Sequence, residues 1–302
     1  MFNITSRVQL REFHSLVEIR RDCAFFTCGK IPTRAPAKLV PISSEKYLRE
    51  LIGAIDSIAG VICTPELYER IPQNLGCAVA KNPSEAISNI HSLLCARDNY
   101  YWTNFSSKIA PSARIHPTAY VSSEDVIIEE DVVIGPNASI LSKTIIGKGS
   151  QIGSNTTLGS DAYEISVING RPQLLSQAGG VRIGTGVIFL SGCAVARSSF
   201  PLFTEIGDYC SFDNLVHVAH DCVLGRGVKM TACSMLSGRV TLENGVFTGP
   251  NSTISNGLTM GENSFVTIGS VVVSDVNPNN KVSGNFAVDH RLFKKHFVKL
   301  SR

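Results

Sequence analysis

Within the stretch DNLVHVAHDCVLG, residues 213–225, His217 and His220 lie three apart and Asp221 directly follows the second histidine. Histidine exchanges its proton near neutral pH, and an adjacent carboxylate can fix which ring nitrogen stays free. Three readings fit these residue types. Histidines on an exposed strand are ordinarily solvated side chains. Two neighbouring imidazoles are half of a zinc site, although His116 lies far back in the sequence and His14, His91, His290 and His296 lie towards the two ends. A neutral imidazole oriented by Asp221 is also a general base, suited to taking a proton from an amine that attacks an acyl group. Which reading holds depends on the elements that position the stretch.

Those elements follow a step of six. Counting by six from Ile206 meets Phe212, Val218, Leu224, Met230, Leu236, Leu242, Thr248, Ile254, Met260, Val266 and Val272, and only Thr248 is not apolar. The same step runs through Ile128, Ile134, Ile140, Ile146, Ile152 and Leu158, with Ile109, Ile115 and Val121 offset by one residue before it and Ile183, Phe189 and Val195 after it. Glycine often follows the apolar residue, and a small residue such as Cys193, Cys210, Cys222, Ser234 or Ser252 often stands four places after it. A period of six is too short for a helical solenoid, whereas three short strands joined by tight turns close a triangular coil of eighteen residues. The expected fold is therefore mainly β, a left-handed parallel β-helix of hexapeptide repeats over residues 106–275, with coils ~4.8 Å apart. Two segments break the period, 159–181 and 198–205, and are expected to leave the prism as loops.

Residues 1–105 lack the period. EKYLRELIGAID, PELYERI and NPSEAISNIHSLL read as helices, and AGVICT and GCAVA as strands, which predicts a small α/β domain as the candidate nucleotide-binding unit. Residues 276–302 carry a basic segment, HRLFKKHFVKL, expected to form a short amphipathic helix. A net charge of only +3 gives no general signal for nucleic-acid binding. No apolar run is of membrane-spanning length, and the nine cysteines show neither a CxxC pair nor a regular framework. The expectation is a cytoplasmic protein with no integral membrane segment and no metal.

In an eighteen-residue coil the residue stacked one turn after His220 is Gly238. A glycine there is either an ordinary turn residue or a backbone N–H open to an oxyanion.

The stretches GSDAY, GGVRIGTGVIFLSGCAVARSSF, TEIGDYCSFDNLVHVAHDCVLGRG and SMLSGRVTLENGVFTGPNSTISNG, preceded by a small α/β domain, resemble the UDP-3-O-acylglucosamine N-acyltransferases of lipid A biosynthesis. HVAHDC also resembles the corresponding stretch of the sister O-acyltransferases. The resemblance implies that His220 is the general base and that the Gly238 amide holds the oxyanion. It implies a role for Tyr47 in stacking the base of the nucleotide, but Pro41 stands where the family carries a phenylalanine, and Gly257 stands where it carries a second functional histidine.

The function expected is N-acyl transfer from an acyl-phosphopantetheine thioester, on acyl carrier protein or coenzyme A, to the amine of a nucleotide-linked amino sugar. No tightly bound cofactor is called for. His220, Asp221 and Gly238 are the expected catalytic group; Tyr47, His217, Arg197 and Arg239 the substrate-binding side chains; Lys294 and Lys295 the donor contacts. The partners expected are two further copies in a homotrimer, the sugar nucleotide and the donor. Two alternatives are an acetyl-coenzyme A-dependent N-acetyltransferase acting on a deoxyamino sugar nucleotide for surface polysaccharide, and a non-catalytic hexapeptide-repeat scaffold.

Overall fold

The computed structural model describes residues 1–3, 5–168, 170–284, 287–292 and 294. From Lys108 to Val282 the chain winds through three parallel ladders of eight, eight and nine short strands, the faces of a left-handed parallel β-helix. Each step of six carries the chain from one face to the next, and each third step pairs with the coil before it. Val195, Val218, Leu236, Ile254 and Val272 thus stack in one ladder. The pairing continues past residue 275, because Lys281–Val282 joins Phe265–Val266.

The apolar members of the repeat point inward and form one continuous buried column. Thr248, the exception in the sequence, is fully buried and donates its hydroxyl to Ser234 Oγ at 3.2 Å, so its polarity is met by another small inward residue. Cys193, Cys210 and Cys222 are buried at the small positions and donate to backbone carbonyls of Asp213, Gly225 and Ser237. The corners have a period of their own. Tyr209, Leu215, Asp221, Gly227, Cys233, Arg239, Gly245, Asn251, Gly257, Asn263 and Gly269 recur every six residues, three places after the inward residue, and all have positive φ. The left-handed backbone turns each corner, and its cost for a residue with a Cβ is of order 1 kcal/mol.

The N-terminal region holds a five-stranded sheet in the spatial order Glu18–Arg21, Gly76–Val79, Ile58–Cys63, Lys38–Ile42, Thr27–Cys28, with only the first strand antiparallel to its neighbour. Two α-helices cover it, α1 (Glu45–Ile52) and α2 (Pro83–Cys95). The Asn82 side chain caps α2 by accepting from the Glu85 N–H at 3.2 Å. PELYER is a single 3-10 segment, Pro65–Arg70. Residues 290–292 and 294 of the basic tail are helical, begun by Asp289, whose carboxylate accepts from the N–H groups of Arg291 and Leu292. Lys295 and the rest of that segment lie outside the described residues.

Both interruptions of the repeat fold towards the N-terminal region. The first contains an antiparallel hairpin, Ile165–Ile168 with Arg171–Leu174. The second ends in the strand Phe203–Ile206. His91 of α2 holds both: its Nε2 lies 3.0 Å from the Ser176 carbonyl oxygen, and its ring meets Phe200 edge-on at 5.0 Å. Full burial drives the His91 pKa down to about 4, because an imidazolium there would lose its hydration.

Candidate active site

His220 stands two places after inward Val218 and Asp221 three places after it. Applying the same offsets to each inward residue of the ladder gives two columns along one edge of the prism. The first reads Arg197, His220, Gly238, Asn256; the second reads Ser198, Asp221, Arg239, Gly257. The fold alone therefore brings these eight residues into adjacent rows.

His220 Nδ1 lies 2.7 Å from Asp221 Oδ2. A carboxylate only accepts, so Nδ1 carries the hydrogen, and in the neutral ring Nε2 presents its lone pair. Asp221 is itself fixed. Its second oxygen accepts from the Ser198 hydroxyl, its backbone N–H donates to Thr204 Oγ1 at 2.9 Å, and its φ of 60° sets it at the corner. Ser198 and Thr204 both come from the second interruption, which thus orients the carboxylate that orients the imidazole.

Gly238 faces the free edge of the imidazole. A Cβ built on it would lie 2.5 Å from His220 Nε2 and 2.7 Å from Cε1, so only glycine admits the ring in this position. Its carbonyl accepts from the Gly257 N–H at 2.9 Å, while among the described residues its own N–H meets no acceptor. At three other corners of the prism the equivalent amide is closed by a side chain of the next coil: Thr185 by Asp208, Ser191 by Asn214, Arg226 by Asn244. Asn256 occupies that closing position beneath Gly238, but its Oδ1 accepts instead from the Arg239 guanidinium at 2.8 Å. Arg239 thereby leaves the Gly238 amide open.

The first interruption lays Glu164 over the imidazole. Glu164 Oε1 is 3.4 Å from His220 Nε2 and 3.3 Å from Arg239 Nη1, and its two oxygens lie 2.9 and 2.8 Å from Lys30 Nζ of the N-terminal region. This cover leaves His220 only 8% exposed, where a corner side chain with no neighbour would be solvated. A cavity of about 180 Å³ opens beside it, lined by Arg34, Leu202, Asp221, Arg239, Thr241 and Gly257 among others. Gly257, where the second family histidine is expected, has open space where a side chain would begin.

The remaining sequence-derived candidates divide. Arg239 is in the network. Arg197 is in the His220 column, but its Nε donates to the Gly159 carbonyl at 2.8 Å and lies 3.4 Å from Asp161, which ties down the root of the first interruption. His217 is half-buried between Ala194 and Met235 in the ladder. Burial first, and the neighbouring His220 second, lower its pKa. Tyr47 projects from α1 with 41% of its surface exposed and has no bond to the network among the described residues. Lys294 is exposed and Lys295 is not described. Sequence reasoning missed Ser198, Asn256, Thr204, Glu164 and Lys30. The first two were accessible by extending the column count one coil each way; the others come from segments without the repeat. Among the described residues no three His, Cys, Asp or Glu side chains are grouped to hold a metal ion.

Known proteins match this chain in part. A bacterial transferase hexapeptide pattern of six repeats matches residues 125–160. The UDP-3-O-acylglucosamine N-acyltransferase of Leptospira biflexa serovar Patoc is 37% identical over 106 residues, covering 35% of this chain and 30% of that protein. The acyl-acyl-carrier-protein UDP-N-acetylglucosamine O-acyltransferase of Agrobacterium fabrum is 32% identical over 132 residues, covering 42% of this chain and 49% of that one. Among solved structures, the UDP-N-acetylglucosamine acyltransferase from Campylobacter jejuni superimposes with a TM-score of 0.51 at 28% identity, over 60% of this chain and 70% of that one. The matched region thus spans less than half the length of these curated relatives. The chain is a hexapeptide-repeat protein similar to both groups of acyltransferase.

Proposed function

We propose that the protein is an N-acyltransferase that moves an acyl group from a phosphopantetheine thioester to the amine of a nucleotide-linked sugar. The observation that carries this reading is the His220 imidazole, oriented by Asp221 and pressed against Gly238. His220 Nε2 accepts the proton of the attacking nitrogen as the C–N bond forms. The Gly238 N–H donates to the thioester oxygen as it becomes an oxyanion, a contribution of about 3–4 kcal/mol for such a donor. The tetrahedral centre then collapses, the C–S bond breaks, and the thiolate takes the proton from His220. No covalent acyl-enzyme is required.

The names of the similar proteins support an acyl donor and a UDP-sugar acceptor. Arg239, together with Arg34 at the adjacent cavity, supplies positive charge for a diphosphate. Tyr47 and His217 are further acceptor contacts, and Lys294 and Lys295 draw in an acidic carrier protein or the phosphates of coenzyme A. The active form is a homotrimer in which a neighbouring prism closes the cleft.

The test supplies purified protein with acetyl-coenzyme A, long-chain acyl-coenzyme A or acyl carrier protein thioesters, each with UDP-glucosamine as acceptor, and measures free thiol. Acceptor-dependent thiol release with an amide product supports the reading. Thiol release from none of these pairs overturns it.

A further inference from the structure

Glu164 has no place in the chemistry just proposed, yet its carboxylate is only 3.4 Å from the atom that accepts the proton. Left alone, a carboxylate against the lone pair of a neutral Nε2 is repulsive, and the structure offsets its charge with Lys30 Nζ and Arg239. The two cations differ. Arg239 is held on its other side by Asn256 and lies on the rigid prism. Lys30 reaches across from the N-terminal region on a long side chain, is substantially exposed, and meets Glu164 with an ammonium group that binds both oxygens. A primary amine bound at His220 Nε2 would bring the same chemical group within reach of the same carboxylate. Near neutral pH such an amine is largely ammonium, since its pKa is about 8.

We infer that Glu164 is the acceptor-selecting residue: it binds the substrate's ammonium group beside His220 Nε2 and so favours amines over hydroxyls, while Lys30 Nζ occupies the carboxylate when the site is free. This deepens the acyl-transfer reading and rests on it. The proton balance closes without Glu164 taking a proton. The bound R–NH3+ first gives one proton to solvent, and R–NH2 then attacks the thioester carbon. The second proton passes from nitrogen to His220 Nε2 and on to the departing sulfur. The sum is R–NH3+ plus acyl thioester giving amide, thiol and one H+. A hydroxyl acceptor carries no charge for Glu164 to hold and leaves the carboxylate facing a lone pair.

The experiment compares UDP-glucosamine with UDP-glucose, which differ by an amine or a hydroxyl at one carbon, in wild-type, Glu164→Gln and Lys30→Met proteins. Acceptor KM and kcat are read at about pH 6 and about pH 9, on either side of the amine's pKa near 8. In Glu164→Gln the UDP-glucosamine KM is expected to rise roughly 10-fold or more at the lower pH and little at the higher, with UDP-glucose unaffected or improved. In Lys30→Met the UDP-glucosamine KM is expected to fall, because the competing ammonium is gone. If Glu164 only fastens the loop, both variants lose activity, alike at the two pH values and for the two sugars. That pattern overturns the inference and leaves the acyl-transfer reading intact, whereas preference of the wild-type protein for UDP-glucose overturns both the inference and the amine acceptor of the proposed function. Absence of UDP-glucosamine acylation by the wild-type protein overturns both. Melting temperatures of the variants, matched to wild type, separate these outcomes from unfolding.

Discussion

Gly238 lies so close beneath His220 that a single added methyl group would stand 2.5 Å from Nε2, well inside van der Waals contact. The glycine and the imidazole therefore share one volume, and the position of the proposed base is set from below by what Gly238 lacks. Gly238→Ala should push the ring off its Asp221 bond and tilt Nε2 away from the cleft. A kcat loss of about 10²-fold or more is expected, comparable to losing part of a general base. The melting temperature should change by only a few degrees, because the core column is untouched. Steady-state kinetics with calorimetry checks this; unchanged turnover would show that the ring position is not critical.

Arg239 and Asn256 make a second, non-additive prediction. Removing the guanidinium in Arg239→Met frees the Asn256 oxygen to close the Gly238 amide, as Asn244 closes that of Arg226. The variant should lose kcat. Adding Asn256→Ala to it should recover part of that loss, a positive coupling within the usual ~0.5–3 kcal/mol for neighbouring groups. Simple additivity of the two losses would mean that the open amide is not what Arg239 preserves.

Stability should depend on pH through His91. Its folded-state pKa is held near about 4, below the 6.5 of an unperturbed imidazole, so between these values the unfolded chain binds the extra proton. Stability contributed by the neutral ring is therefore present above pH 6.5 and lost as pH falls towards about 4, in all roughly 3 kcal/mol. Chemical denaturation at several pH values should show this slope, and His91→Gln should flatten it. Because His91 also clasps Ser176 and Phe200, the loops over the active site should become protease-sensitive over the same pH range.

Self-association should be readable on the outside of the prism. Ile188, Leu190, Tyr209, Leu215 and Met235 are exposed apolar side chains on the coils around the candidate site. Sedimentation of the full chain should give a trimer at micromolar concentration, and Leu215→Glu should shift it towards monomer with loss of activity. A fully active monomer would remove the need for a neighbouring prism.

The period of six made the prism legible in the sequence, because an inward apolar residue at every sixth place is a direct consequence of a three-sided coil. The same count brought Gly238 under His220, and its extension would have reached Ser198 and Asn256. Glu164 and Lys30 were not legible. They meet through a hairpin and an N-terminal loop that share no register with the repeat, and only tertiary packing, fastened by His91, brings the two charges together. The role of Arg239 was half visible: its charge suggested a phosphate contact, while its competition for the Asn256 oxygen depends on a side-chain geometry that sequence does not encode. The strand Lys38–Ile42 was likewise missed, its Pro41 masking a partly buried sheet position.

The most direct test of the central claim is the rate of acyl transfer by His220→Ala and His217→Ala, measured side by side with the wild-type protein and its best donor–acceptor pair. His220→Ala should lose about 10²–10⁴-fold in kcat while keeping its oligomeric state, and His217→Ala should stay within roughly tenfold, with any larger change confined to KM. Near-normal turnover by His220→Ala, or a greater kcat loss in His217→Ala, would contradict the assignment of His220 as the base.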